Sequence, residues 1–117
     1  MAAGDLTKIK LSGSTDGMNI LIVATATLGT TIHTAHATDL DEIYLNACIP
    51  GATSREVTIE WGEATSTKVT KVTIPAAAGW FPVVEGKLLT NSLVVTVFCA
   101  AAANEVVFDG YVLRHGQ

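Results

Sequence analysis

Asp41-Glu42-Ile43-Tyr44-Leu45-Asn46-Ala47-Cys48-Ile49, closed by Pro50-Gly51, is the stretch that decides the fold. Its apolar residues return at every second position, so Ile43, Leu45, Ala47 and Ile49 share one face while Glu42, Tyr44 and Asn46 share the other. A helix would need a repeat near 3.6, so the segment reads as a strand with one buried side, stopped by a strong breaker. Arg55 to Gly62 repeats the logic, with Val57, Ile59 and Trp61 inward and Glu56, Thr58 and Glu60 toward solvent.

Outward from this pair the vocabulary stays β. Leu6 to Ser12 alternates, with Thr7, Ile9 and Leu11 opposite Lys8 and Lys10, and Gly13 to Gly17 turns the chain. Met18 to Thr25 is nearly continuous in apolar residues and reads as a strand covered on both sides. A short strand follows Gly29, around Thr31 to Ala35. Glu63 to Thr67 is a hairpin loop before Lys68 to Ile74, which ends at Pro75. Ala76 to Gly79 leads to Trp80 to Val84, then come Lys87 to Thr90, a turn at Asn91-Ser92, the strong strand Leu93 to Ala100, and a last strand from Glu105 to Leu113. Turn clusters at roughly 8 to 12 residue spacing and the lack of any helical pattern predict an all-β, antiparallel two-sheet β-sandwich of eight or nine strands, with a jelly roll as the expected topology. Residues 1–117 read as a single domain, with short flexible arms at about 1–5 and 114–117.

Composition narrows the function. Only 15% of the 117 residues are charged against 49% hydrophobic, whereas a typical soluble domain carries about 25% charged residues. A small domain has much surface for its volume, so this one must build its exterior from Thr, Ala, Ser, Asn and apolar side chains, which suits contact with other protein. The net charge of −4 and the scatter of Lys8, Lys10, Arg55, Lys68, Lys71, Lys87 and Arg114 argue against a nucleic-acid partner, since phosphate affinity needs clustered cations. Met18 to Leu28 and Leu93 to Ala103 are each about half the ~20 residues of a spanning helix, so no membrane partner is expected. Lys8 and Lys10 followed by Ile20 to Val23 imitate a secretion signal. The polar Ser12 to Gly17 segment separates the charges from an apolar run that is too short, so secretion is not expected. Cys48 and Cys99 lie in apolar patterns and read as buried thiols of a reducing compartment.

No catalytic residue, cofactor or metal ligand is assigned. His33-Thr34-Ala35-His36 with Asp39, Asp41 and Glu42 is the most enzyme-like cluster, but strand residues three apart point to opposite faces, and the His-x-His pair of metal-binding cupins is absent. His115 is left at an end read as frayed. There is no Gly-x-Ser-x-Gly elbow, and Glu56 and Glu60 read as solvated strand carboxylates. The candidate partner contacts are aromatic: Trp80, Phe81 and Tyr111, large rigid groups of the kind enriched at interface cores. Trp61, in register with Val57 and Ile59, reads as core.

Six phrases occur in order: Leu11-Ser12-Gly13-Ser14-Thr15-Asp16-Gly17, Gly29-Thr30-Thr31-Ile32-His33-Thr34-Ala35, Asp41-Glu42-Ile43-Tyr44-Leu45, Val57-Thr58-Ile59-Glu60-Trp61-Gly62, Val72-Thr73-Ile74-Pro75-Ala76 and Leu89-Thr90-Asn91-Ser92-Leu93-Val94-Val95. In this order the chain resembles small virion proteins of tailed bacteriophages of the capsid decoration type, also called cement or auxiliary head proteins. It departs from that pattern at Glu63, where a small residue follows the Trp-Gly pair, and at Trp80-Phe81-Pro82, where the pattern is more aliphatic. The resemblance implies a non-enzymatic β-sandwich subunit, made in the host cytoplasm and homotrimeric, that binds the major capsid protein on the outer surface of the virion and stabilises the mature head. The alternative expectation is a receptor- or glycan-binding module of a fibre or spike, with Trp80, Phe81 and Tyr111 as its platform.

Overall fold

The computed structural model describes residues 2–117; they form nine strands, with no helix among them. In chain order these are β1 (Leu6–Lys10), β2 (Ile20–Leu21), β3 (Thr30–Thr34), β4 (Leu40–Cys48), β5 (Arg55–Trp61), β6 (Thr70–Ile74), β7 (Phe81–Leu89), β8 (Val94–Phe98) and β9 (Val107–His115). All ladders are antiparallel. One sheet has the order β1-β9-β4-β7, with β2 also paired to β9, and the other runs β3-β8-β5-β6.

The two sheets pack their apolar faces together, as the alternation requires. Ile43, Leu45, Ala47 and Ile49 are buried from one side and Val57, Ile59, Val95 and Val97 from the other, with Phe108 and Val112 of β9 in the same cluster. β-branched residues dominate this core because their stiff, wide side chains fit a pleated surface.

Three elements differ from expectation. The run Met18 to Thr25 supplies only the two-residue β2, because β1 and β2 share one edge of β9. Between them Leu11 to Asn19 leaves to touch the other sheet, where the Gly13 N–H donates to the Ile32 carbonyl at 2.9 Å. Along that run Ile20 and Ile22 are buried while Leu21 and Val23 are exposed, so it is covered on one side only. The segments read as separate strands around Gly86 are one strand, β7. Its register against β4 shifts twice, and Gly86 sits at φ +87°, a conformation a side chain would resist.

The C-terminal arm is the third. β9 continues through Arg114 and His115, the Gly116 N–H donates to Asp5 O at 2.8 Å, and the Gly4 N–H donates to Gly116 O at 3.0 Å. Partners from β4 hold this end in place of solvent. At the other terminus, Met1 lies outside the described residues.

Candidate functional site

The aromatic trio does not assemble. Phe81 pairs with buried Ala47 and packs against the core, so it faces inward. Tyr111 pairs with Tyr44 on the opposite face, and the two rings stack at 4.8 Å between centroids. The Lys8 ammonium lies 4.4 Å from the Tyr111 ring on a neighbouring strand, a cation–π contact. The Tyr44 hydroxyl donates to Glu42, whose other oxygen meets His115 Nε2 at 2.8 Å. That bond to Glu42 pushes the Tyr44 phenol up to about 12, and the same two partners hold the Glu42 carboxyl below its ordinary range. Tyr111 is thus engaged within the chain. Of the three residues only Trp80, 46% exposed ahead of β7, stands out into solvent. Trp61, expected in the core, is half-buried at its margin, donates from Nε1 to Leu88 O at 3.1 Å, and lies under the Lys87 ammonium.

His33 and Asp41 do meet, in a buried polar knot. Both are essentially inaccessible, His33 Nε2 lies 2.7 Å from Asp41 Oδ2, and Arg114 donates from Nε and Nη2 to the two oxygens at 2.7 and 3.0 Å. Burial opposes the charge on Asp41, but hydrogen bonds from Arg114 and His33 outweigh it and hold the carboxyl below its usual range. Burial pushes the His33 imidazole down, against the pull of Asp41. The parity of β4 carries a signal for this knot: Asp41 shares its face with Ile43 and Leu45, and a carboxylate on an inward face must find a partner. His36 turns its Nδ1 to the backbone N–H groups of Thr38 and Asp39 instead, so the two histidines do not converge. No group of three or more potential metal ligands occurs among the described residues. Cys99 is buried and Cys48 half-buried, both as thiols.

The largest departure is Glu60. Alternation places it outward, yet it is only 1% exposed, because the segment Ala24 to Gly29 folds over the outer face of the four-stranded sheet. Its carboxylate accepts from the Thr27 hydroxyl, from Gly29 N at 2.8 Å and from Thr96 Oγ1 at 2.6 Å. Burial works against its charge, and these donors together more than offset it, lowering its pKa. Two clefts flank this anchor. One of about 230 Å³ is lined by Leu28, Gly62, Leu93, Val94 and Thr96, and one of about 310 Å³ by Thr25, Ala26, Thr58, Ser66, Val69 and Phe98, with Glu60 in the wall of both. Leu28 is 70% exposed and Leu93 40%. This face, lined by Thr, Ser, Ala and exposed leucine, with Glu63 in the wall of the first cleft and Lys71 in that of the second, is the candidate contact surface.

No protein-family model, no curated protein and no solved structure matches this chain.

Proposed function

We propose that this protein is a structural subunit that works by adhesion, a homotrimeric capsid decoration protein that binds the outer surface of a phage head through its major capsid protein and stabilises the mature shell. The observation that carries the proposal is Leu28, the most exposed large apolar residue among the described residues, held between Thr27 and Gly29, which both donate hydrogen bonds to the buried Glu60 carboxylate. Solvent-facing leucine on a fixed segment is already ordered for contact, so little freedom is lost when a partner covers it. The charge-poor exterior and the Thr- and Ser-lined clefts beside it support the same reading.

The interleaved strand order supports the jelly-roll topology expected from the sequence: after β2 the chain passes between sheets at every connection except β5 to β6. Edge-to-edge strand addition is disfavoured. Lys8 and Lys10 guard β1, Lys71 guards β6, and Pro82 with two register shifts breaks the edge of β7. Contacts made by faces and loops, repeated around a closed ring, add small energies into firm attachment without any reactive group.

Heads purified without the protein, mixed with wild type, Leu28→Ser or Trp80→Ala, test this. Wild type binds and raises the temperature at which heads rupture. Each variant keeps its fold but binds about tenfold more weakly or worse, as expected when one buried leucine or tryptophan anchor is lost. Heads that rupture at the same temperature with and without bound wild type sink the proposal, as does a wild-type protein that sediments as a monomer and ignores the heads. Wild-type binding on a glycan array that Trp80→Ala loses with its fold intact, together with no affinity for heads, transfers the case to the receptor-binding alternative.

A further inference from the structure

All three histidines of the chain lie at the end of the sandwich where β4 begins and β9 finishes. Two of them present Nδ1 to backbone N–H groups, and the buried one, His33, joins the two sheets. The Ser12 N–H donates to His33 Nδ1 at 3.0 Å, so Nδ1 must offer a lone pair. The ring's single proton is then on Nε2, donated to Asp41 at 2.7 Å. Ser12 belongs to the excursion between β1 and β2 and is tied to β3 a second time, by its hydroxyl oxygen accepting from Thr34 N at 2.6 Å.

We infer that His33 is an acid-sensitive latch: in its neutral, Nε2-protonated form it holds the Leu11–Ser14 crossover onto β3, and uptake of a proton at Nδ1 releases Ser12. The only nitrogen able to take the proton is the one that receives the Ser12 N–H. Once it is protonated, two N–H groups point at each other and the bond is lost.

The surroundings decide how readily this happens. From β4, Asp41 attracts the proton, but both its oxygens already receive Arg114 of β9. Lys10 of β1, whose ammonium donates to Ser14 O at 2.8 Å, repels it. From the segment after β3 come His36, whose backbone N–H donates to Asp41 Oδ2 at 3.3 Å, and Asp39, 3.8 Å from the His36 ring. Burial is the largest influence, and with repulsion from Arg114 and then Lys10 it outweighs Asp41, so the His33 pKa lies below 6.5. Release is therefore an acid event.

Nitrogen-15 spectra of the histidine rings and amide exchange of Ser12, recorded from pH 7.5 to 4.5 and corrected for intrinsic exchange, test the latch. At pH 7.5 His33 shows the Nε2–H tautomer. On acidification Ser12 exchange rises at least tenfold, in step with the His33 ring. His33→Asn, whose side-chain oxygen can accept from Ser12 but cannot take a proton, keeps Ser12 protected across the range. An Nδ1–H tautomer at pH 7.5, a His33 that never titrates in this range, or Ser12 protection that ignores its titration overturns the inference. So does a folded His33→Asn with the same acid transition; if that variant does not fold, the wild-type tautomer and the coupling of the two titrations decide.

Discussion

Replacing Glu60 tests how the contact face is built. Its carboxylate receives three donors, from Thr27, Gly29 and Thr96, in a site only 1% exposed. A hydrogen bond to a charged group contributes about 1.5–3 kcal/mol net, which for three gives an upper bound of about 4.5–9 kcal/mol. Two effects reduce it: removing the carboxylate also removes the penalty of burying its charge, and the two threonine hydroxyls can turn to water entering the space. Glu60→Ala should therefore lose about 2–4 kcal/mol, a fall in the urea midpoint of about 1–2 M for a small domain. Glu60→Gln should lose only about 1 kcal/mol, since its amide oxygen still accepts from Gly29 and Thr96 and its NH2 can donate to the Thr27 oxygen. Urea unfolding followed by tryptophan fluorescence reads the stability, and amide exchange over residues 24–29 reads the segment. The sign with pH also follows. The folded pKa of Glu60 lies below 4.5, so its contribution is complete above that value and disappears as pH falls through the folded pKa, a dependence that Gln abolishes. An alanine variant within 1 kcal/mol of wild type, or one that leaves exchange at 24–29 unchanged, would refute the reasoning.

Gly110→Ala should be among the most damaging single changes, because a Cβ there would lie 1.9 Å from the Tyr44 carbonyl oxygen and force β9 away from β4; a melting temperature lowered by only a degree or two would contradict this. Arg114→Met should destabilise by about 2–4 kcal/mol, less than for a fully enclosed pair because Arg114 is 21% exposed, and adding Asp41→Asn should recover part of the loss in a double-mutant cycle. Acid should weaken the fold in two ranges, first through His33 and then through the buried carboxylates, Glu60 below 4.5 and Asp41 below 3.8. His33 has a folded pKa below 6.5, so the unfolded chain takes up a proton first and stability starts to fall once pH drops under 6.5. The loss from Asp41, also lowered, joins that of Glu60 at lower pH, and urea midpoints of wild type and Glu60→Gln at closely spaced pH values separate the histidine range from the carboxylate range.

Alternation made β4 and β5 legible, since a period of two has one structural meaning and each strand had a breaker or a polar turn beside it. What alternation cannot say is what lies over the outward face. Glu60 has the parity of Glu56 and reads like it, yet a segment more than thirty residues earlier in the chain covers one and leaves the other exposed. The same blindness explains the aromatics. Trp80 and Phe81 are neighbours in sequence, but pairing with Ala47 turns Phe81 into the core, while Tyr111 is claimed by a ring on the adjacent strand. The C-terminal end looked mobile because its last residues are polar. Their partners, Asp41 and Glu42, lie over seventy positions away and become neighbours only when β4 and β9 pair.

The two outer faces of the sandwich are therefore unlike, and the difference indicates where a partner would sit. Across the five-stranded sheet, Lys8, Tyr111, Tyr44, Glu42 and His115 join in a row from β1 to β4, so a partner would have to break existing contacts to use them. Across the four-stranded sheet Thr27, Gly29 and Thr96 turn inward to Glu60, and around this anchor the exposed Leu28 and Leu93 flank two clefts whose walls also carry Glu63 and Lys71, with Glu56 exposed further along β5. Trp80 lies elsewhere, at the end of the molecule where β7 begins. A subunit that must hold both its sisters and a shell needs two separate contact regions, because one patch cannot serve both at once. On the proposed reading the leucine face and the tryptophan end divide that work. Leu28→Ser and Trp80→Ala should then differ in kind, one dissolving the trimer and the other leaving a trimer that no longer attaches.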